Sequence, residues 1–84
     1  MDEDLKKLEK TKIDLAVDEF AKEMKRRLYM KIEKGYLGWN DPRSSEKIER
    51  DLRGDFNQDL KNFRETDIAA RAMFLFFINR NIKF

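Results

Sequence analysis

The sequence predicts an all-α fold: a small bundle of three to four helices, with a long first helix and a buried, apolar last one. Three observations carry this. Apolar residues recur every three or four positions over most of the chain, which places them on helix faces. Turn formers are grouped, with two of the three glycines and the single proline inside "GYLGWNDP", residues 35–42. No segment alternates apolar and polar residues as a half-buried strand does. "FLFFI" is strand-like in composition, but the alanines before it favour helix.

The first helix runs to Lys34. Ile13, Val17, Phe20, Met24, Leu28 and Ile32 share one face, Thr11 or Asp14 stands where a cap would start it, and Gly35 stands where a C-terminal glycine ends it. Residues 1–10, with only Leu5 and Leu8 among charges, either extend this helix or fray. The segment Asn40-Asp41-Pro42 is a turn signal, because Asn and Asp bond their own backbone and Pro presets φ. Ser44 or Ser45 then caps a second helix starting near Glu46, with Ile48 and Leu52 on one face. Gly54 is expected to interrupt it, and Asp55 with Gln58 to restart it as a capping pair. Phe56, Leu60 and Phe63 continue the apolar stripe. Thr66 or Asp67 caps the last helix, which is apolar nearly all round from Ile68 to Ile78.

Eighty-four residues make one domain. With neither cysteine nor histidine, disulfides, thiolate metal sites, histidine-bound zinc and serine–histidine catalysis are excluded. The longest apolar run, Ala72–Ile78, is far short of the ~18 residues that cross a bilayer, so a soluble cytoplasmic protein without membrane contact is expected. A chain this small cannot surround Phe74, Phe76, Phe77, Ile82 and Phe84 by itself, so a homodimer joined through Phe74, Phe76, Phe77 and Ile78 is expected, the alternative being that the loop and the N-terminal segment cover them.

Charged residues make up 43% of the chain, yet the net charge is only +2. Residues 1–23 carry five Lys/Arg against eight Asp/Glu, whereas residues 24–34 carry five against one. The resulting basic stripe, Lys22, Lys25, Arg26, Arg27, Lys31 and Lys34 with Tyr29 and Tyr36 interleaved, suits phosphate tracking and base stacking. Its plainer reading is a solvated face paired with the acidic N-terminal half or with Glu49 and Asp51. Arg64 and Arg71 flank the last cap. They either pair with Glu65 or Asp67, or present guanidinium forks to phosphates or to a partner's acids. Asp55, Asp59 and Asp67 are a weak Mg²⁺ candidate, and otherwise helix caps and a solvated acid. Trp39 either plugs the corner between the first two helices or anchors a partner.

The stretches "FAKEMKRRLYMKIEKGYLGWNDP" and "TDIAARAMFLF" are similar to a group of short phage and bacterial helical proteins. That group carries F-x-x-x-M, a lysine-glycine-x-x-glycine-tryptophan corner and a last helix of the type D-x-A-N-F-A-M-M. It resembles the MazG-like nucleotide pyrophosphohydrolases over roughly residues 17 to 80. The resemblance implies oligomerisation through helices, carboxylate-held Mg²⁺ and cleavage of nucleoside triphosphates. The sequence departs where that chemistry lies: Arg64 stands where the resemblance implies a glutamate, and Arg71 interrupts the last-helix motif. The expected function is therefore a non-catalytic, phage-type accessory protein without a cofactor. It would bind and inhibit a host defence or toxin protein, with RNA or DNA sharing the basic surface. The alternatives are a divergent Mg²⁺-dependent pyrophosphohydrolase or nucleotide-binding protein, and a purely structural helical adaptor.

Overall fold

A computed structural model describes residues 2–82. Three helices follow one another: α1 (Asp2–Glu33), α2 (Ser45–Lys61) and α3 (Glu65–Asn79), with a single 3₁₀ turn, Pro42–Ser44, leading into α2. There is no strand among the described residues. α1 takes in the N-terminal segment from Asp2 onward. At 1.5 Å per residue its 32 residues span about 48 Å, which sets the 50 Å long axis of the molecule. α3 is the central element and packs on both α1 and α2.

All three helices end in the same way. The residue after each C-cap adopts a left-handed conformation, its N–H bonds back three residues, and the next N–H bonds back five. For α1 this residue is Gly35 (φ +94°), with Gly35 N–H to the Ile32 carbonyl at 2.9 Å and Tyr36 N–H to the Lys31 carbonyl at 3.1 Å. For α3 it is Asn81 (φ +53°), a residue that tolerates this region. For α2 it is Phe63 (φ +56°), whose Cβ makes the conformation costly, by about 1–2 kcal/mol. The Arg64 N–H to Asp59 carbonyl bond at 2.7 Å closes that turn.

Three local expectations are corrected. Gly54 does not break α2, which runs unbroken from Ser45 to Lys61. α3 begins at Glu65 with Arg64 in the cap position, so Thr66 and Asp67 lie inside its first turn and are buried. Thr11 does not start α1; its hydroxyl donates back to the Lys7 carbonyl at 3.1 Å, in mid-helix.

The interior differs more deeply from the expected one. Ala70 is the only buried apolar residue among those described; Asp59, Thr66 and Asp67 are the buried polar ones. The predicted stripe on α1 is covered only where α3 reaches it, at Met24 and Leu28, while Ile13, Val17, Phe20 and Ile32 face solvent. Every residue from Asp2 to Phe20 is exposed. The apolar side of α3 is half-covered: Trp39 stacks on Phe74 at 4.8 Å between ring centroids and meets Phe77 edge-on at 6.2 Å. Phe84 lies outside the described residues.

The dimensions agree with this open interior. The radius of gyration is 15.7 Å, against about 12 Å for a compact domain of this length. The accessible surface is 7246 Å², against about 5,300 Å² for a compact monomer of this mass. No helix among the described residues is long and apolar enough to cross a membrane.

Candidate functional site

The junction of the three helices is polar. Arg27 of α1 turns toward α3 and meets Asp67 as a two-pronged fork, Nε to Oδ1 at 2.9 Å and Nη2 to Oδ2 at 3.0 Å. Lys31, one turn on, brings its Nζ within 3.6 Å of Oδ1 of the same carboxylate. Asp67 is 6% exposed. Burial alone would raise its pKa, but the Arg27 hydrogen bonds and the charges of Lys31 and Arg27 outweigh it, so the carboxyl titrates below its ordinary range. On the other side of α3, Arg71 donates from Nη1 to Oδ2 of the buried Asp59 at 2.6 Å. Its Nη2 lies 3.6 Å from Asp55 Oδ2. No buried side-chain polar atom among the described residues lacks a partner.

The three candidate metal ligands are thus divided between two arginine sites. Asp67 belongs to Arg27 and Lys31, whereas Asp55 and Asp59 belong to Arg71. No three acidic side chains among the described residues are grouped as a metal site requires. The alternative of caps does not hold either, since Asp55 and Asp59 lie within α2 and all three carboxylates face arginines. Arg71 pairs across to α2, not with its neighbours Glu65 or Asp67.

The basic stripe is divided as well. Arg27 and Lys31 point inward. Lys22 pairs with Glu19 at 3.2 Å, and Arg26 takes Glu23 in a fork at 2.9 and 2.6 Å. Those partners lie on the same helix and the pairs are exposed, so solvent screens them and they add little to stability. Lys25, Lys34 and Arg64 make no ion pair among the described residues, and Tyr29 and Tyr36 are exposed. The expected pairing with Glu49 and Asp51 is not formed.

In the corner, Trp39 is held by α3 and packs on Phe74 and Phe77. Asp41 caps the 3₁₀ turn by accepting the Arg43 N–H at 2.9 Å, and it holds the Arg43 guanidinium at 2.6–3.1 Å. These bonds from Arg43 lower the Asp41 pKa to about 2. Phe77 and Ile78 are half-buried here; Phe76 remains exposed, with Arg80 over its ring at 3.9 Å. A hollow of about 80 Å³ lies between Asn40, Pro42, Phe77, Ile78, Asn81 and Ile82, room for a few waters. Small-molecule sites are several times larger, at roughly 300–1,000 Å³.

The fork between Arg27 and Asp67 has no sequence signal, because 40 residues separate the partners. The strain at Phe63 has none either. Nothing in the composition marks a phenylalanine for the left-handed position.

No family model, curated protein or solved structure matches the chain.

Proposed function

We propose that this chain is a non-catalytic accessory protein that works by binding another protein, in the manner of a small phage factor that inhibits a host defence or toxin protein in the host cytoplasm. One observation carries the reading: the chain buries a single apolar residue of its own and leaves sixteen large ones exposed among those described. Apolar surface on that scale is costly in water and marks an interaction face. The resemblance to short phage helical proteins supports the phage setting. The arginines beside Asp55, Asp59 and Asp67 favour binding over Mg²⁺-dependent hydrolysis, since a cation would have to displace a guanidinium at both places. RNA or DNA is a secondary partner on this reading, limited to the edge formed by Lys25, Lys34, Tyr29 and Tyr36.

The test has three arms on the full chain: recovery of host proteins on the tagged chain, the 260/280 nm absorbance ratio before and after a high-salt wash, and pyrophosphate release from the eight common nucleoside triphosphates with Mg²⁺. A stoichiometric protein partner, lost when Leu15 is changed to Asp, is the expected result. Pyrophosphate release that disappears in Asp67→Asn overturns the reading in favour of a pyrophosphohydrolase. A bound nucleic acid that leaves with salt and no protein partner overturns it in favour of a phosphate binder.

A further inference from the structure

Two apolar ridges of this chain have the same spacing and opposite charge. On α1, Ile13, Val17 and Phe20 stand at i, i+4 and i+7, all exposed, on a stretch of helix in which every residue is exposed. On α2 and its corner, Phe56, Leu60 and Phe63 stand at the same spacing and are also exposed, Phe63 at 86%. Ridges three and four residues apart are what two helices interdigitate when they pack. The first ridge is flanked by the unpaired Asp14 and Asp18, its neighbours Lys12 and Glu19 being paired within α1, and the second by the unpaired Arg53, Lys61 and Arg64, its neighbours Asp55 and Asp59 being held by Arg71. None of these five flanking charges makes an ion pair among the described residues.

We infer that a second copy of this chain covers both ridges by reciprocal exchange: the free half of α1 from each copy lies on the α2 ridge of the other. This deepens the binding reading above by naming one partner and its surface. A two-fold dimer of this kind makes each contact twice, so each chain loses both exposed ridges at once. The areas fit. The chain carries about 1,900 Å² more surface than a compact monomer of its mass, and a standard interface takes about 800 Å² per partner. Phe63 fits too: a phenylalanine held left-handed and outward is costly in the isolated chain and is used once a partner covers its ring. The dimer surface then lies on α1 and α2, while Phe74 and Phe77 of α3 are occupied by Trp39.

The chain has no cysteine, so introduced thiols report position without competition. In the full-length variant Val17→Cys/Leu60→Cys, prepared as a mixture of isotope-labelled and unlabelled chains, oxidation is expected to give a covalent dimer. Its cross-linked peptide joins positions 17 and 60 and carries one label. Links between two copies of position 17, or a 17–60 link only within one chain, overturn the inference. In sedimentation at micromolar concentration, Asp14→Lys/Asp18→Lys is expected to weaken the dimer about tenfold, and adding Lys61→Glu/Arg64→Glu to restore it, because opposed rows of like charge are relieved. Neither set touches a contact within the chain, so helicity is expected to stay unchanged. A wild-type chain that sediments as a monomer throughout overturns the exchange, and if it still captures a protein partner the binding reading stands. A cross-linked dimer that releases pyrophosphate overturns the binding reading and leaves the exchange in place.

Discussion

Asp67→Ala is the most informative single change, because so little else holds α1 to α3. The wild-type carboxylate accepts two bonds from Arg27 and the charge of Lys31. Its side chain is 8% exposed and that of Arg27 is 30%. Removing one member of a fully buried ion pair costs about 3–5 kcal/mol, chiefly because the other charge is left desolvated. Here the Arg27 guanidinium keeps partial access to water and Lys31 can turn outward, so about 2–3 kcal/mol is the discounted figure. Apolar packing offers little to offset it, since Ala70 is the one buried apolar residue among those described. For a chain of this size that corresponds to a fall of roughly 10–20 °C in Tm. The assay is thermal melting by circular dichroism at one fixed protein concentration, because dimerisation shifts Tm by mass action. Replacing both partners, Arg27→Met with Asp67→Leu, removes the stranded charge and is expected to recover most of the loss. The pH dependence follows in sign. The folded-state pKa of Asp67 is below its unfolded value, so its contribution is complete above pH ~4 and is lost as pH falls through the folded pKa. A change under about 0.5 kcal/mol for Asp67→Ala, within the range of ordinary surface substitutions, or a double variant no better than the single one, refutes the assignment of the fork as the joint between α1 and α3.

Gly54→Ala is expected to stabilise the chain by about 0.5–1 kcal/mol, since Gly54 lies inside α2 and an added Cβ meets nothing within 4 Å; urea melts check it. Gly35→Ala, by contrast, is expected to cost about 1–2 kcal/mol, because φ of +94° disfavours any Cβ although the space is open. The fluorescence of Trp39, the single tryptophan, is expected to shift to the red in Phe74→Ala, as the stacked ring that shields the indole is removed. Carbon-detected NMR titration of Asp41 is expected to give a pKa near 2 that returns toward 3.8 in Arg43→Ala. Its small contribution is present above pH ~3.8 and lost as pH falls through about 2.

The helical class, the long first helix and the corner were legible in the residues because each rests on local rules. Apolar period, a glycine at the left-handed C-terminal position and an Asn-Asp-Pro turn act within a few residues of themselves. The interruption at Gly54 was misread for a related reason. Helix propensity is a weak local term of ~1 kcal/mol, and the packing of α2 on α3 outweighs it. Arg27 and Lys31 read as part of an outward basic stripe because periodicity places them on a face but does not say what that face meets. In the structure it meets Asp67, and the stripe divides there.

The sequence alone therefore determined that this chain is helical, where its first helix ends, and that cysteine and histidine chemistry is closed to it. Those follow from residue identity and from backbone terms that act over one or two turns. Only the tertiary structure decided which charges are joints and which are surface, that Trp39 packs on Phe74 and Phe77 of the last helix, and that exposed apolar ridges lie on α1 and α2. These depend on contacts between residues 12 to 40 positions apart. Such contacts form when helices of given length cross at one place, and no local pattern in the chain encodes where that place is.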